Sequence, residues 1–485
     1  MSELKKRYGL LTAICMVSGI VIGSGVFFKA QTILQVTGGN MLYGVIAWIL
    51  GGAVMLFCVL AFAVMAQKYE KVNGIIDYAE ATVGRPYAYA VGWFMSIIYY
   101  PTLVSVLAWL SARYFLTFIC SVNPDFPMTI SAAEGGCVTG PECFVLAAFF
   151  LIASYSLNVL SPRISGKFQV STTVIKLVPL LLMAVIGTIY GFTHNIAGTD
   201  TSILVQNFSN TKGDFGVMFS AVVATAFAYE GWIVATSINS ELKNSKRNLP
   251  IALIVGSLII IAVYLFYFIG VAGGESVENL MENGATVAFT NVFGSVFGNV
   301  LNLFVAISCM GTLNGLMLGC TRGLYSVASR DIGPKPHVFK EVDKQTNMPS
   351  NSATVGLFMC IVWFLFFYGA NLTPKGWFGF FNFDSSELPI CTTYAIYLPI
   401  FISFMIKAKD VSPFKRFVLP SFAILGSCFM IFAAIYAHGI APYQAAAAEG
   451  KFACPIIAYL IVFAVIMAAG WLFGEKQKAK RQGKK

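Results

Sequence analysis

Three places in this chain carry residues whose type and setting could do chemistry. The first is Gly23-Ser24-Gly25, inside Val21-Ile22-Gly23-Ser24-Gly25-Val26-Phe27. Two glycines around a serine make a poor helix centre, because each Gly costs about 1 kcal/mol relative to Ala. The triplet sits midway along an apolar run, residues 10–34. In a bilayer, a broken helix bares N–H and C=O groups at high cost unless something binds them. The break therefore points to backbone meeting a ligand; close helix packing by small residues is the other reading. The second place is Lys176, well inside the run 168–192, in Thr172-Thr173-Val174-Ile175-Lys176-Leu177-Val178-Pro179. A buried ammonium needs a counter-charge or carbonyl oxygens and marks an ion or substrate route. The alternative is a structural lysine at a helix-to-loop junction. The third is Glu230, in Phe227-Ala228-Tyr229-Glu230-Gly231-Trp232. It could pair with Lys176, face a water-filled vestibule, or carry a proton.

The elements that hold these residues are set by composition. Hydrophobic residues make up 57% and charged residues 11%, with a mean hydropathy of +0.75. Soluble domains carry about 25% charged residues, so the chain reads as an all-α polytopic membrane protein. Apolar runs follow one another at 10–34, 41–66, 87–120, 143–160, 168–192, 215–239, 250–272, 292–328, 352–370, 388–406, 418–440 and 453–473. These are about twelve transmembrane helices, each near or above the ~20 residues that cross a bilayer. The third and eighth are long enough to tilt or project. The whole chain, 1–485, is then a single transmembrane domain with no room for a sizeable soluble one.

Lys and Arg give the orientation. With an even number of spans, 25 of them fall on the side of both termini and three, Lys212, Lys375 and Lys451, on the other. Both termini are expected in the cytoplasm, with the protein multi-pass in the cell membrane. The net charge of +10 follows mainly from this bias and needs no nucleic acid. The basic tail, 475–485, reads as a stop-transfer and headgroup anchor. Lys5-Lys6-Arg7 before an apolar run resembles a signal peptide, but the run is too long; it is expected to be a retained first span. Lys29, Arg113 and Arg322 lie toward span ends and are expected to snorkel. Cys15, Cys58, Cys309, Cys320, Cys360, Cys391 and Cys428 lie within spans as small apolar packers. Cys137 and Cys143, near the loop between the third and fourth spans, could form a disulfide or remain two thiols. The three histidines, His194, His337 and His438, are far apart in or near loops. That argues against a membrane-embedded enzyme, and no metal or other cofactor is expected. No repeated polar stripe suggests a channel pore.

The interruptions fall in spans one and six, five apart. Paired breaks at corresponding positions of two halves mark an inverted-repeat transporter, with halves at about 10–193 and 214–406 and spans eleven and twelve, 418–473, outside the repeat. Half-helix N-termini present positive dipole ends to an anion, and unwound carbonyls receive a cation. An α-amino acid carries both charges on one carbon, so this geometry suits it.

These residues resemble a known family. Gly23-Ser24-Gly25-Val26-Phe27 is similar to the first-span motif of the amino acid–polyamine–organocation transporters. Phe227 to Trp232, with Glu241 and Arg247-Asn248-Leu249-Pro250, resembles the L-type amino-acid transporter branch. The resemblance implies a LeuT-type 5+5 inverted repeat with broken helices 1 and 6. It implies a sodium-independent exchanger of neutral, small L-amino acids, with a proton-coupled symporter as the alternative. By resemblance the substrate site takes in Val21, Ile22, Gly23, Ser24, Gly25 and Val26 with Phe227, Ala228, Tyr229 and Glu230. The N–H groups of Ser24 and Gly25 would hold the carboxylate. The carbonyls of Val21, Phe227 and Glu230 would hold the amine, and Phe227 would gate the site. Lys176 would fill the position of sodium in sodium-coupled relatives, bridging the first span to the eighth, where Ser308 is the matching hydroxyl. Tyr264 is a candidate polar contact stabilising one conformation, or an ordinary packed tyrosine. Glu230 departs from the animal members, where this position is often small. The animal branch is disulfide-linked to a single-pass glycoprotein; here Cys137 and Cys143 could pair with each other, and no obligatory protein partner is expected beyond the lipid bilayer.

Overall fold

The computed structural model describes residues 5–69, 73–128, 140–196, 198, 200–210, 217–373 and 375–482, with side chains up to 474. Among the described residues, twelve helical segments are long and apolar enough to cross a membrane: Leu10–Val36, Met41–Lys68, Arg85–Val122, Pro141–Leu160, Pro162–Thr193, Val217–Glu241, Ser245–Gly274, Ser295–Ala328, Ser350–Leu372, Leu388–Lys407, Phe414–Ala448 and Pro455–Gly474. The protein is a multi-pass, all-α membrane protein, as composition required. Helices satisfy their own backbone, which a lipid interior demands. Local sequence fixes many starts. Asn40 accepts from the Tyr43 N–H and caps the second span. Proline at the first turn opens the fourth and fifth spans, where its missing N–H costs nothing.

Burial separates centre from rim. In spans one, six and eight, 78% of the most apolar window is buried, against 33% in span four and 17% in span twelve. The central three carry the residues singled out above, and span five brings Lys176 against them, fully buried. Spans five and seven approach closely because Gly187 and Gly191 face Gly270 and Gly273; a Cβ at Gly270 would lie 2.1 Å from the Met183 carbonyl oxygen.

Two expectations need correction. The eighth span starts later than 292: Ala285–Phe293 is a separate helix, and Gly294, at φ +89°, turns the chain before Ser295. Arg322 does not snorkel. It is 1% exposed, and its Nε lies 2.5 Å from Glu241 Oε1. Arg7 Nε lies 3.4 Å from the other Glu241 oxygen, and the N–H groups of Arg7 and Tyr8 donate to the Glu241 carbonyl. An arginine withdrawn from water loses its hydration, and the Glu241 carboxylate supplies the counter-charge that offsets this cost. A second cluster on the same side joins Arg330 to Asp77 and Glu80. The N-terminal segment is thus tied across the ends of spans six and eight.

Cys15, Cys58, Cys309, Cys320 and Cys360 are buried, as packers should be; Cys391 is half-buried, and Cys428 is exposed on its helix. Cys143 is buried at the start of the fourth span, while Cys137 lies outside the described residues, and its pairing with it.

Candidate functional site

The first span breaks where the Gly-Ser-Gly triplet lies. One helix ends at Val21 and the next begins at Gly25. The last turn tightens, with Gly23 N–H donating to the Val21 carbonyl at 2.8 Å. The freed carbonyls are taken up by side chains from two neighbouring spans. Lys176 Nζ donates to the carbonyls of Gly19 (2.7 Å), Ile22 (2.5 Å) and Ser308 (3.2 Å). Ser308 Oγ lies 3.1 Å from both the Ile22 and the Gly23 carbonyl oxygens. Thr312, one turn further along the eighth span, reaches Gly19 and Ile22 at 3.4 and 3.3 Å. Lys176 therefore bridges spans one and eight, but it meets the backbone of Ser308; the hydroxyl bonds the first span directly.

The sixth span breaks differently. Its first helix ends at Tyr229, and Gly231 adopts φ +106° and ψ −14°, a conformation that favours glycine. The chain continues as a 3₁₀ helix from Trp232 to Glu241, long for a form that rarely exceeds a few residues. The two breaks lie against each other. A Cβ at Gly25 would sit 2.8 Å from Ala228 Cα, and one at Gly231 would sit 3.0 Å from Ile20 Cγ2. Tyr264 joins them: its hydroxyl is 3.0 Å from both the Val21 and the Ala228 carbonyl oxygens. Its hydroxyl thus makes a polar contact with each break.

A small cavity opens between the breaks. Of the predicted residues, Val21, Gly23, Ser24, Gly25, Phe227 and Glu230 line it. Ile22 and Val26 are packed away from solvent and do not line it, and Ile22 contributes its carbonyl to Lys176. Ala228 gives its carbonyl to Tyr264, and Tyr229 donates to the Trp48 carbonyl at 2.9 Å. The side chains of Leu103, Leu107 and Leu316 form apolar wall, and Thr312 adds a hydroxyl. Glu230 does not pair with Lys176. Its Oε1 accepts from the Tyr99 hydroxyl at 2.5 Å, and it makes no ion pair with a described residue.

Phe227 stands on the side away from the termini. Its ring lies 5.9 Å from that of Phe28, and Lys29 Nζ is 5.6 Å from the Phe227 centroid. Lys29 does not snorkel either; its Nζ is 2.6 Å from Glu387 Oε1, and His438 Nε2 is 3.1 Å from Glu387 Oε2. Burial raises the cost of the Glu387 charge, but Lys29 and His438 outweigh it and hold the carboxyl at about 2. Phe227, Glu387, Cys391, Tyr394 and His438 line a second small cavity on that side.

Sequence reasoning missed Tyr99, Leu103, Leu107 and Thr312. Thr312 had a signal: it lies four residues after Ser308 and so shares its helix face. Tyr99 lies at the end of a π-helical turn, Met95–Tyr99, just before Pro101. That widened turn is a common device at functional sites, but its sequence cue is weak.

The amino acid permease family model matches residues 8–466 of this chain. The serine/threonine exchanger SteT of Bacillus subtilis (strain 168) is 28% identical over 438 residues, covering 88% of this chain and 91% of that protein. The human large neutral amino acids transporter small subunit 2 is 25% identical over 382 residues, 78% of this chain and 68% of that protein. The human cystine/glutamate transporter is 26% identical over 363 residues, 72% and 66%. With the paired helix breaks and the cavity between them already described, a match over nearly the full length makes this chain a member of the amino acid permease family.

Proposed function

We propose that this chain is a sodium-independent exchanger of neutral, small L-amino acids working by alternating access. The observation that carries this is Lys176: an ammonium on three carbonyls, two of them from the broken first span. A fixed cation there supplies what a bound sodium ion would supply to unwound carbonyls. The N–H groups of Ser24 and Gly25, at the start of the second half-helix, would receive the substrate carboxylate. The carbonyls of Phe227 and Glu230 would receive its amine. The Val21 carbonyl is the weaker candidate, since it already accepts from Gly23 and lies beside Tyr264. Phe227 would close over the ligand. The relatives named as exchangers and transporters of amino acids support transport rather than catalysis as the activity. The halves at about 10–193 and 214–406 would form the inverted repeat. The bias of Lys and Arg supports a cell-membrane protein with both termini in the cytoplasm, and the chain would act without an obligatory protein partner.

A proton-coupled symporter is the second reading, and one observation favours it: Glu230 is a carboxylate in the cavity without a described counter-cation. One experiment separates them. Purified protein in liposomes is preloaded with labelled serine, and efflux is followed with and without unlabelled serine outside. The exchanger requires strong acceleration by external serine and no change when sodium is replaced by choline. Equal efflux in both cases, with uptake driven by an imposed pH gradient, selects the symporter. Strict sodium dependence removes Lys176 from its assigned place.

A further inference from the structure

We infer that the loops on the side away from the termini carry a seat for the bilayer surface, a platform of aromatic rings that lies among the lipid headgroups of that leaflet. Trp377, Phe378, Phe380, Phe381, Tyr443 and Phe452 form it, each between 39% and 61% exposed. All but Tyr443 lie outside the twelve spans, so contact with hydrocarbon along a helix does not account for them. The rings run together although they come from two loops and a helix end. Phe452 lies 6.0 Å from Tyr443 and 6.5 Å from Phe380, Phe380 lies 5.3 Å from Phe381, and Trp377 lies 6.5 Å from Phe378. A contiguous exposed apolar patch of this kind marks an interaction site.

Depth, ring chemistry and charge point to lipid headgroups as the occupant. Trp377 follows the end of span nine at Leu372, Phe452 precedes the start of span twelve at Pro455, and Tyr443 lies near the end of span eleven. Rings at that level meet the boundary between hydrocarbon and water, where Trp and Tyr concentrate. The Trp377 indole N–H and the Tyr443 hydroxyl bond no described residue, which leaves each ring a polar tip for that boundary. Lys375 and Lys451, both exposed, stand beside the rings and are two of the three basic residues on this side; Lys451 Nζ also lies 2.9 Å from the exposed Glu449. Lysine beside an interfacial ring is a bilayer anchor, whereas protein interfaces deplete it. The platform is held firmly from below. Phe378 stacks on Phe366 at 5.0 Å, Trp377 lies 5.5 Å from Tyr368, and the Phe378 N–H donates to Asn382 Oδ1 at 3.1 Å. Glu387 and His438, which meet at 3.1 Å, lie on the same two stretches, so the seat sets the depth of that pair.

The test uses the full chain in phosphatidylcholine vesicles whose acyl chains are brominated near the ester end or near the methyl end. Tryptophan fluorescence is read in each, with and without acrylamide on both sides of the bilayer. The chain has seven tryptophans, and the difference between wild type and Trp377→Phe isolates the signal of Trp377. The expected result is quenching about twofold stronger from the ester end than from the methyl end. Tyr443→Trp adds a tryptophan at the other edge of the platform and should show the same preference; it keeps the test open if Trp377→Phe does not fold. Lipid quenching that does not favour the ester end puts the rings in hydrocarbon and overturns the headgroup assignment. Strong quenching by acrylamide with none from either lipid leaves the platform in water and overturns it as well. Shielding from acrylamide and from both lipids, with dimers captured by cross-linking in the vesicles, gives the face to a second copy of the chain instead.

Discussion

The two helix breaks do similar work by different means. In the first span, three residues, 22–24, separate the half-helices, and the freed carbonyls are held from outside. Lys176 from the fifth span and Ser308 and Thr312 from the eighth converge on Gly19, Ile22 and Gly23. In the sixth span the interruption is held largely from within. Gly231 turns at φ +106°, and the chain runs on as a 3₁₀ helix; the ties to other spans there are neutral tyrosine hydroxyl bonds or a hydroxyl on a carboxylate, Tyr264 on Ala228, Tyr229 on Trp48 and Tyr99 on Glu230. A carbonyl bound by an ammonium is held by a charge-assisted bond, roughly twice as strong as a neutral one. A 3₁₀ stretch in mid-helix is a poorer hydrogen-bonding form and often marks a hinge. The first break is thus anchored to its neighbours, and the sixth is shaped to give.

Removing the anchor should produce the largest effect. Lys176→Ala leaves the Gly19 carbonyl with Thr312 at 3.4 Å, and Ile22 with the hydroxyls of Ser308 and Thr312. Each acceptor stranded in the interior costs about 1–3 kcal/mol. If the anchor is what makes the first span move with its substrate, exchange should fall by about 100-fold, equivalent to about 3 kcal/mol. The variant should still insert and elute as a single species in detergent, because the other spans keep their packing. Lys176→Arg should not rescue it, since a planar guanidinium cannot reproduce a compact ammonium between three carbonyls. Wild-type exchange in Lys176→Ala would mean that Ser308 and Thr312 suffice, and that the contrast between the breaks is only geometric.

How legible each break was in the sequence follows from the same contrast. Gly23-Ser24-Gly25 stands out because small residues in mid-span violate helix preference within a few positions. Lys176 stands out because a charge has no business in an apolar run. Both signals are local, and all twelve spans were legible for the same reason. The sixth break was only partly legible. Gly231 marked it, but nothing in Trp232 to Glu241 separates a 3₁₀ helix from an α-helix, since that choice is made by packing against neighbouring spans. Tyr264 and Tyr99 were harder still. A tyrosine in a membrane helix packs well in many settings, and only the third dimension brings its hydroxyl to a particular oxygen. Lys29 and Arg322 were misread because snorkelling was judged from distance along the span. Their carboxylate partners, Glu387 and Glu241, lie 358 and 81 positions away in the chain.

Substituting the glycines should sharpen the comparison. In Gly25→Ala the new methyl would meet Ala228 Cα at 2.8 Å, and backbone cannot step aside as a flexible side chain can. The two breaks would be pushed apart at the cavity, and exchange should fall by about 30-fold, about 2 kcal/mol. Since the same glycine lines the cavity, the loss should appear in apparent affinity as well as in rate. In Gly231→Ala the methyl meets Ile20 Cγ2 at 3.0 Å, a side-chain atom, while the Ile20 carbonyl oxygen stays at an ordinary 3.5 Å. The cost there is conformational, about 1–3 kcal/mol for a non-glycine residue held at that φ. It should appear mainly as a lower melting temperature, with exchange reduced by about tenfold or less. Thermal melts of the two purified variants beside exchange rates separate the cases. A larger exchange loss in Gly231→Ala would reverse the ranking and make the sixth span the stiffer partner.

The smallest effect belongs to the residue that touches both breaks. Tyr264→Phe removes one hydroxyl lying 3.0 Å from the Val21 and Ala228 carbonyl oxygens and leaves the ring packing in place. Val21 keeps the Gly23 N–H at 2.8 Å, so the loss falls on Ala228. One neutral hydrogen bond contributes about 1 kcal/mol, and exchange should slow by about fivefold. The informative measurement is the double variant with Ser308→Ala, which weakens the anchor of the first break alone. If the hydroxyl couples the breaks, the two losses will not add, and the interaction energy should reach about 0.5 kcal/mol or more. Strict additivity would mean that the first break is governed by spans five and eight and the sixth by its own backbone, with Tyr264 a bystander between them.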